Sequence, residues 1–156
     1  MTGLGLGRRA ASLERDWLMT RSDKENLVRA FFEAVTAGDL PDRLLTPDMR
    51  GWTTHQGDMD KAAYQHVVHL LAEISSEPLA FTIDAITIED DRAAAEARSK
   101  GTLIDGTEYA NTYVFTFRFR EGRISSVAEH YNALIVEEKM MPLLAGPAGS
   151  DNGTSA

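Results

Sequence analysis

Residues 107–138, TEYANTYVFTFRFREGRISSVAEHYNALIVEE, decide the architecture, because apolar and polar side chains alternate with period two on either side of Glu121-Gly122. One side of the first run carries Tyr109, Asn111, Tyr113, Phe115 and Phe117, and one side of the second carries Val127, Glu129, Tyr131 and Ala133. Upstream, the same two-residue rhythm holds in 79–90 and 92–105, with turns at Asp90-Asp91 and Asp105-Gly106. Four strand-like runs (79–90, 92–105, 107–120 and 123–138) joined by three tight connections predict an antiparallel meander rather than a parallel sheet.

Ahead of Pro78 the period changes to 3.6. Ser22-x-x-Glu25 reads as a capping box before Leu27, Val28, Phe31, Phe32 and Val35, a helix ended by Gly38. Asp39-Leu40-Pro41 restarts a short helical stretch that turns Leu44 and Leu45 inward until Pro47 breaks it. Residues 48–55, DMRGWTTH, read as a short strand with Trp52, then a turn at Gln56-Gly57-Asp58. Asp58 or Asp60 caps a third helix to about Ser75, with Ala63, Val67, Leu70, Leu71 and Ile74 as its apolar stripe. The expected fold is α+β: three N-terminal helices packed on one face of a curved, mainly antiparallel sheet. The other face is free to pair with a second subunit.

The ends read differently. Residues 1–21 lack the apolar stretch of a secretory signal and are expected to be a disordered leader on a cytoplasmic protein, with Met19 as a second candidate start. Gly3-x-Gly5-x-Gly7 follows no strand and opens no βαβ unit, so it does not read as a dinucleotide loop. Residues 145–156, AGPAGSDNGTSA, are expected to be a disordered tail, which leaves 22–144 as the domain. The 156 residues are 43% hydrophobic and 26% charged, without cysteine, so disulfides, thiol nucleophiles and cysteine-ligated metals are excluded. A net charge of −8 argues against nucleic acid and anionic membrane surfaces as partners. No apolar run is long enough to span a bilayer.

The order of elements, FFEAVTAGDL at 31–40 and GTLIDGTEYANTYVFTFRFREGRISSVAEHYN at 101–132 are similar to the nuclear transport factor 2-like superfamily. That group includes ketosteroid isomerase, limonene-epoxide hydrolase, scytalone dehydratase and SnoaL-like polyketide cyclases. The resemblance implies a cone-shaped α+β barrel with a ligand pocket at its open end, commonly a homodimer through the sheet. It is specific for fold and weak for chemistry. Counting from AGDL and FRF, the isomerase's donor tyrosine falls on Phe31, its base near Thr53 and its protonated aspartate near Phe115, none of which suits that mechanism. Against limonene-epoxide hydrolase, Glu129 takes the water-activating position. Arg98 then stands where the acid belongs and Glu96 where the bridging arginine belongs.

Glu129 survives as a candidate base. With it facing inward, the concave wall carries Arg98, Asn111, Tyr113 and Tyr131, with Tyr109 and Phe115 along the same strand and Phe31, Trp52 and Leu71 closing from the helical side. Arg98 looks inward only if Glu96 and Lys100 do too, and three such charges in a row more often mark a solvated face. If Arg98 touches Glu129, the pair is a buried structural ion pair. If a ligand holds them apart, Glu129 abstracts a proton or activates water while Arg98 or Tyr113 stabilises the oxyanion.

Asn111 would orient the substrate, and His55, at the expected cavity mouth, would supply a proton. His66 and His69 lie at the margins of the third helix's stripe, too few for a metal, and the chemistry calls for no cofactor. His130 and Asn132 face the expected dimer surface. Phe115–Arg120 reads as a strand with phenylalanines in and arginines out, and Met140–Leu144 as a closure over the cavity. The expected function is a pocket for a small hydrophobic, oxygenated molecule such as a polyketide, terpenoid or steroid. It serves either an acid–base isomerase, cyclase, dehydratase or hydrolase, or a non-catalytic ligand-binding or dimerisation domain.

Overall fold

A computed structural model of the chain describes residues 18–145. Most of the expected leader, with its glycine motif, and the tail from residue 146 lie outside the described residues.

Helix α1 (Arg21–Ala37) starts two residues earlier than expected. The capping box is Thr20-x-x-Asp23, in which the Thr20 hydroxyl accepts from the Asp23 N–H at 3.1 Å and the Asp23 carboxylate from the Thr20 N–H at 2.9 Å. Threonine at this position has the extended backbone that an N-cap needs, and Ser22 is already helical.

The expected second helix is only a single 3-10 turn, Asp42–Leu44. Strand β1 (Leu45–Thr53) begins directly after it and runs through Pro47. Proline is tolerated there because the pairing of β1 slips between Leu45 and Arg50, so the missing N–H falls in an irregular stretch of ladder. After β2 (Gly57–Asp60), Asp60 caps helix α2 (Lys61–Glu73) by accepting from the Ala63 N–H at 2.8 Å. The inward stripe of α2 is Tyr64, Val67, Val68 and Leu71, rotated from the expected one, and Ala63 is exposed.

The meander is as the alternation predicts: β3 (Ala80–Glu89), β4 (Arg92–Thr102), β5 (Glu108–Arg120) and β6 (Arg123–Tyr131), each antiparallel to the next. Glu121 and Gly122 both have positive φ, 54° and 73°, as the tight hairpin between β5 and β6 requires. The last strand stops seven residues short of the expected end, because the Asn132 side chain accepts from the Leu134 N–H at 3.1 Å and caps α3 (Ala133–Lys139). A further turn, α4 (Met141–Leu144), follows. Among the described residues, two α-helices and one 3-10 turn thus precede the meander and two short helices follow it, in place of three helices before it.

The six strands run in the order β2-β1-β6-β5-β4-β3, with β1 parallel to β6, so the sheet is open at β2 and β3 rather than a closed barrel. Helices α1 and α2 cover its inner face. The main core gathers Phe31, Phe32, Tyr64, Phe115 and Phe117 with aliphatic neighbours. A second, smaller cluster lies at the other end, where Ile74, Leu79, Leu103 and Tyr109 pack under Val136 and Met140 of the closing helices. No helix among the described residues is long and apolar enough to cross a membrane.

Candidate functional site

Alternation on β5 and β6 places Tyr109, Tyr113, Phe115, Glu129 and Tyr131 on the inner face, and they line one apolar cavity of about 60 Å3 between the sheet and α2. Val67, Val68 and Leu71 form its helical wall, His55 stands at the turn after β1, and Val136, Met140, Met141 and Leu144 come from the closing helices. The backbone at Glu129 is clamped by Thr54, whose N–H and hydroxyl both donate to the Glu129 carbonyl at 3.1 Å. The Thr54 hydroxyl oxygen also accepts from the Tyr131 N–H at 3.2 Å.

Among the described residues, Glu129 is the only carboxylate lining the cavity. Burial raises its pKa from the ordinary 4.5 to about 7, opposed by the hydroxyl of Tyr64, which donates to Oε1. The Tyr64 ring is fully buried and lies on β1 at Gly51, where a Cβ would stand 2.3 Å from Cδ2 of the ring. Only glycine at 51 admits that ring, so a backbone feature of β1 fixes the donor to the carboxylate. Burial and then the neighbouring carboxylate charge hold the Tyr64 phenol well above its usual range, so it stays a donor.

On the facing part of the wall, the Tyr113 hydroxyl lies 2.8 Å from Ser99 Oγ and 3.1 Å from the Tyr109 hydroxyl. Asn111 Nδ2 donates to the Tyr109 hydroxyl at 3.0 Å. Burial pushes Tyr113, Tyr109 and Tyr131 all upward. His55 Nε2 is 3.5 Å from Glu137 Oε2, joining the turn after β1 to α3 across the mouth.

Four residues expected at the site stand elsewhere. Arg98 lies on the outer face in a two-point ion pair with Asp84 (both contacts 2.8 Å), because β4 buries Ala93, Ala95, Ala97 and Ser99 and turns Glu96, Arg98 and Lys100 to solvent. The alternative of an Arg98–Glu129 pair falls with it. Trp52 also faces outward and packs at a tilt against His130, with ring centres 4.8 Å apart. Phe31 is fully buried core, with Phe115 and Phe117 against it edge-on. Asn111 is buried on the inner face but spends its amide on the protein: besides Tyr109, it donates to the Asn132 carbonyl at 3.2 Å, while its oxygen accepts from the Thr112 N–H at 2.9 Å and the Asn132 N–H at 3.3 Å. Asn132 itself is exposed and caps α3. His66 and His69 are exposed, and His69 lies 3.2 Å from Glu73.

Tyr64 and Ser99 were not foreseen. The spacing of Tyr64 with Val67, Val68 and Leu71 is a helical stripe as regular as that of Ala63, Val67, Leu70, Leu71 and Ile74. The run Ala93-Ala95-Ala97-Ser99 likewise marks the inner face of β4.

The described residues thus enclose an apolar cavity that two short helices help to close, with one carboxylate among phenols. The family model of the SnoaL-like domain matches residues 28–127, well over half of the chain, and the protein belongs to that family, within the nuclear transport factor 2-like superfamily. Among solved structures, PrhC from Penicillium brasilianum is similar at 16% identity and a TM-score of 0.70, covering 81% of this chain and 91% of its own. A Bacillus subtilis protein named as a candidate isomerase is similar at 20% identity and a TM-score of 0.66 over 75% of this chain and 91% of its own. A Jannaschia sp. CCS1 protein named as a candidate SnoaL-like polyketide cyclase shares 13% identity at a TM-score of 0.64, over 77% and 94%. At such identities the likeness is one of fold. No curated protein matches the sequence.

Proposed function

We propose that the protein is an acid–base enzyme acting on a small hydrophobic, oxygenated molecule of the polyketide, terpenoid or steroid kind, with Glu129 as the group that takes and returns the proton. The observation that carries this reading is Glu129 itself, a lone carboxylate in an apolar cavity whose pKa sits near neutrality, where a general base and acid is most effective. Tyr64 donates to one carboxylate oxygen and fixes its orientation. Tyr113 and Tyr109 supply donors to the substrate oxygen, and His55 is the proton-carrying group at the mouth. The cavity of about 60 Å3 is well below the roughly 300 Å3 at which ligand pockets begin, so entry requires the methionines and leucine of α3–α4 to move aside. Two copies pair through the outer face of the sheet, where Val114 is 42% exposed beside the Trp52–His130 pair.

The test is a thermal-shift screen of apolar ketones and phenols, followed by exchange of substrate C–H protons into heavy water, read by NMR. The wild type exchanges and Glu129→Gln does not. Binding without exchange in either protein favours the second reading, a ligand-binding domain without turnover. The observation for that reading is the position of Arg98, which leaves the cavity without a permanent cation.

A further inference from the structure

The cavity has a carboxylate and no permanent cation to match it. Among the described residues, no lysine or arginine lines it, and Arg98 is spent on Asp84 at the outer face. One oxygen of Glu129 accepts from Tyr64, while Oε2 has no hydrogen-bond partner among the described residues and stands open to the cavity. The titratable groups facing it are Tyr64 from α2, Tyr109 and Tyr113 from β5, Tyr131 from its own strand and His55 from the turn after β1, with Glu137 of α3 behind His55. The four phenols carry no positive charge in either protonation state, and His55 has its own carboxylate in Glu137 at 3.5 Å. An ionised Glu129 in so apolar an enclosure therefore has to be matched from outside the chain, or else take up a proton.

The rings add a second feature. Phe81, Phe115 and Tyr131 line the same cavity as Tyr113, with ring centres 5.5, 5.4 and 5.8 Å from its own and planes inclined to it by 53°, 30° and 65°. Rings set at such angles wrap a space, and the face of an aromatic ring attracts a positive charge within about 6 Å. An inorganic cation is a poor fit, since it needs several oxygen ligands and, among the described residues, no three His, Asp or Glu side chains come together to hold one. An organic ammonium ion needs only one carboxylate oxygen, and it brings apolar groups that the wall can cover.

We propose that the cavity is a receptor for a hydrophobic amine, bound as its ammonium ion with the N–H donating to Oε2 of Glu129 and the alkyl groups against Phe81, Tyr113, Phe115 and Tyr131. This amine site goes beyond the acid–base reading and stands on the cavity alone, whether or not Glu129 also turns over an oxygenated substrate. Each charge offsets the desolvation of the other. No covalent bond of the ligand changes. Below the pKa of Glu129, which burial raises to about 7, the carboxyl gives its proton to solvent as the ammonium ion arrives. Binding is tightest between that pH and the pKa of the amine, and on the acid side it weakens about tenfold per pH unit.

The probes are N,N-dimethylbenzylamine and isobutylbenzene, which has the same shape with a CH in place of the ammonium N–H. In titration calorimetry of the full chain at about pH 8, the amine binds about 10- to 100-fold more tightly than isobutylbenzene. At about pH 6 the amine affinity falls about tenfold and about one proton is released per amine bound, seen as a dependence of the binding heat on the buffer, whereas isobutylbenzene shows neither effect. Glu129→Gln removes both the advantage of the amine and the proton release. Phe81→Leu weakens the amine about 3- to 30-fold more than isobutylbenzene, and Tyr113→Phe, which keeps the ring, retains amine binding.

Equal affinities for the two probes, or an amine affinity that Glu129→Gln leaves unchanged, overturn the inference and leave the acid–base reading to its own proton-exchange test. Failure of both probes to bind overturns the inference and the pocket together. Should Glu129→Gln not fold, the wild type decides alone: a flat pH profile without proton release overturns the amine site.

Discussion

Replacing Glu129 by glutamine is expected to make the folded protein more stable in alkaline solution while leaving it nearly unchanged in mild acid. Burial raises the folded-state pKa of Glu129 from 4.5 to about 7. Between those values the folded protein holds a proton that the unfolded chain releases, so stability falls as pH rises through that window and is unaffected below it. A shift of that size corresponds to about 3 kcal/mol, most of it developing between about pH 5 and about pH 8. Glutamine has the same shape, still accepts from Tyr64 and cannot ionise, so it escapes the loss. Urea denaturation of both proteins at the two pH values gives the answer as a difference of differences, in which all other titrating groups cancel. The stability advantage of the variant should grow by about 2 to 3 kcal/mol from the lower to the higher pH. An advantage that stays flat would mean that Glu129 is solvated and ordinary, and the acid–base role proposed for it would lose its basis.

Three further outcomes follow from the same geometry. Tyr64→Phe removes the hydrogen bond that opposes burial, so the Glu129 carboxyl should titrate roughly one unit higher or more, read from its side-chain carbon shift by NMR. Asn111→Ala leaves the Asn132 N–H and carbonyl and the Tyr109 hydroxyl short of partners, an expected loss of about 2 to 4 kcal/mol that lowers the melting temperature by roughly 5 to 15 °C in calorimetry. Arg98→Ala touches only the exposed pair with Asp84 and should leave both the melting temperature and the affinity for cavity ligands nearly unchanged.

How far the sequence could be read depended on how many forces agreed at each position. On β5, alternation, aromatic content and flanking turns all point the same way, and every second residue from Tyr109 to Phe119 is buried. Glu129 and Tyr131 follow from that pattern, because one hairpin fixes the faces of both strands. Arg98 was harder, since Glu96-Ala97-Arg98-Ser99-Lys100 alternates charge with small residues and either face satisfies the period. Burial of the alanines settles it, because three neighbouring charges have no partners inside. The β6 end was lost to a local signal: Asn132 caps the next helix, and strand-forming Leu134, Ile135 and Val136 yield to it. Tyr64 could not be seen as the partner of Glu129, 65 positions away, because nothing in a single sequence reports that Gly51 clears the space between them.

The division of the interior into two apolar clusters has a dynamic consequence. The cluster beneath α3 and α4 is the smaller, and polar ties to those helices, His55 with Glu137 and Lys139 with the Glu108 carbonyl, lie at the surface. Sub-global opening at this end therefore requires far less free energy than disrupting the phenylalanine cluster around Phe31. Amide protons of residues 133–145 should exchange with solvent well before those of β5, so the molecule breathes at one pole while the opposite pole stays intact.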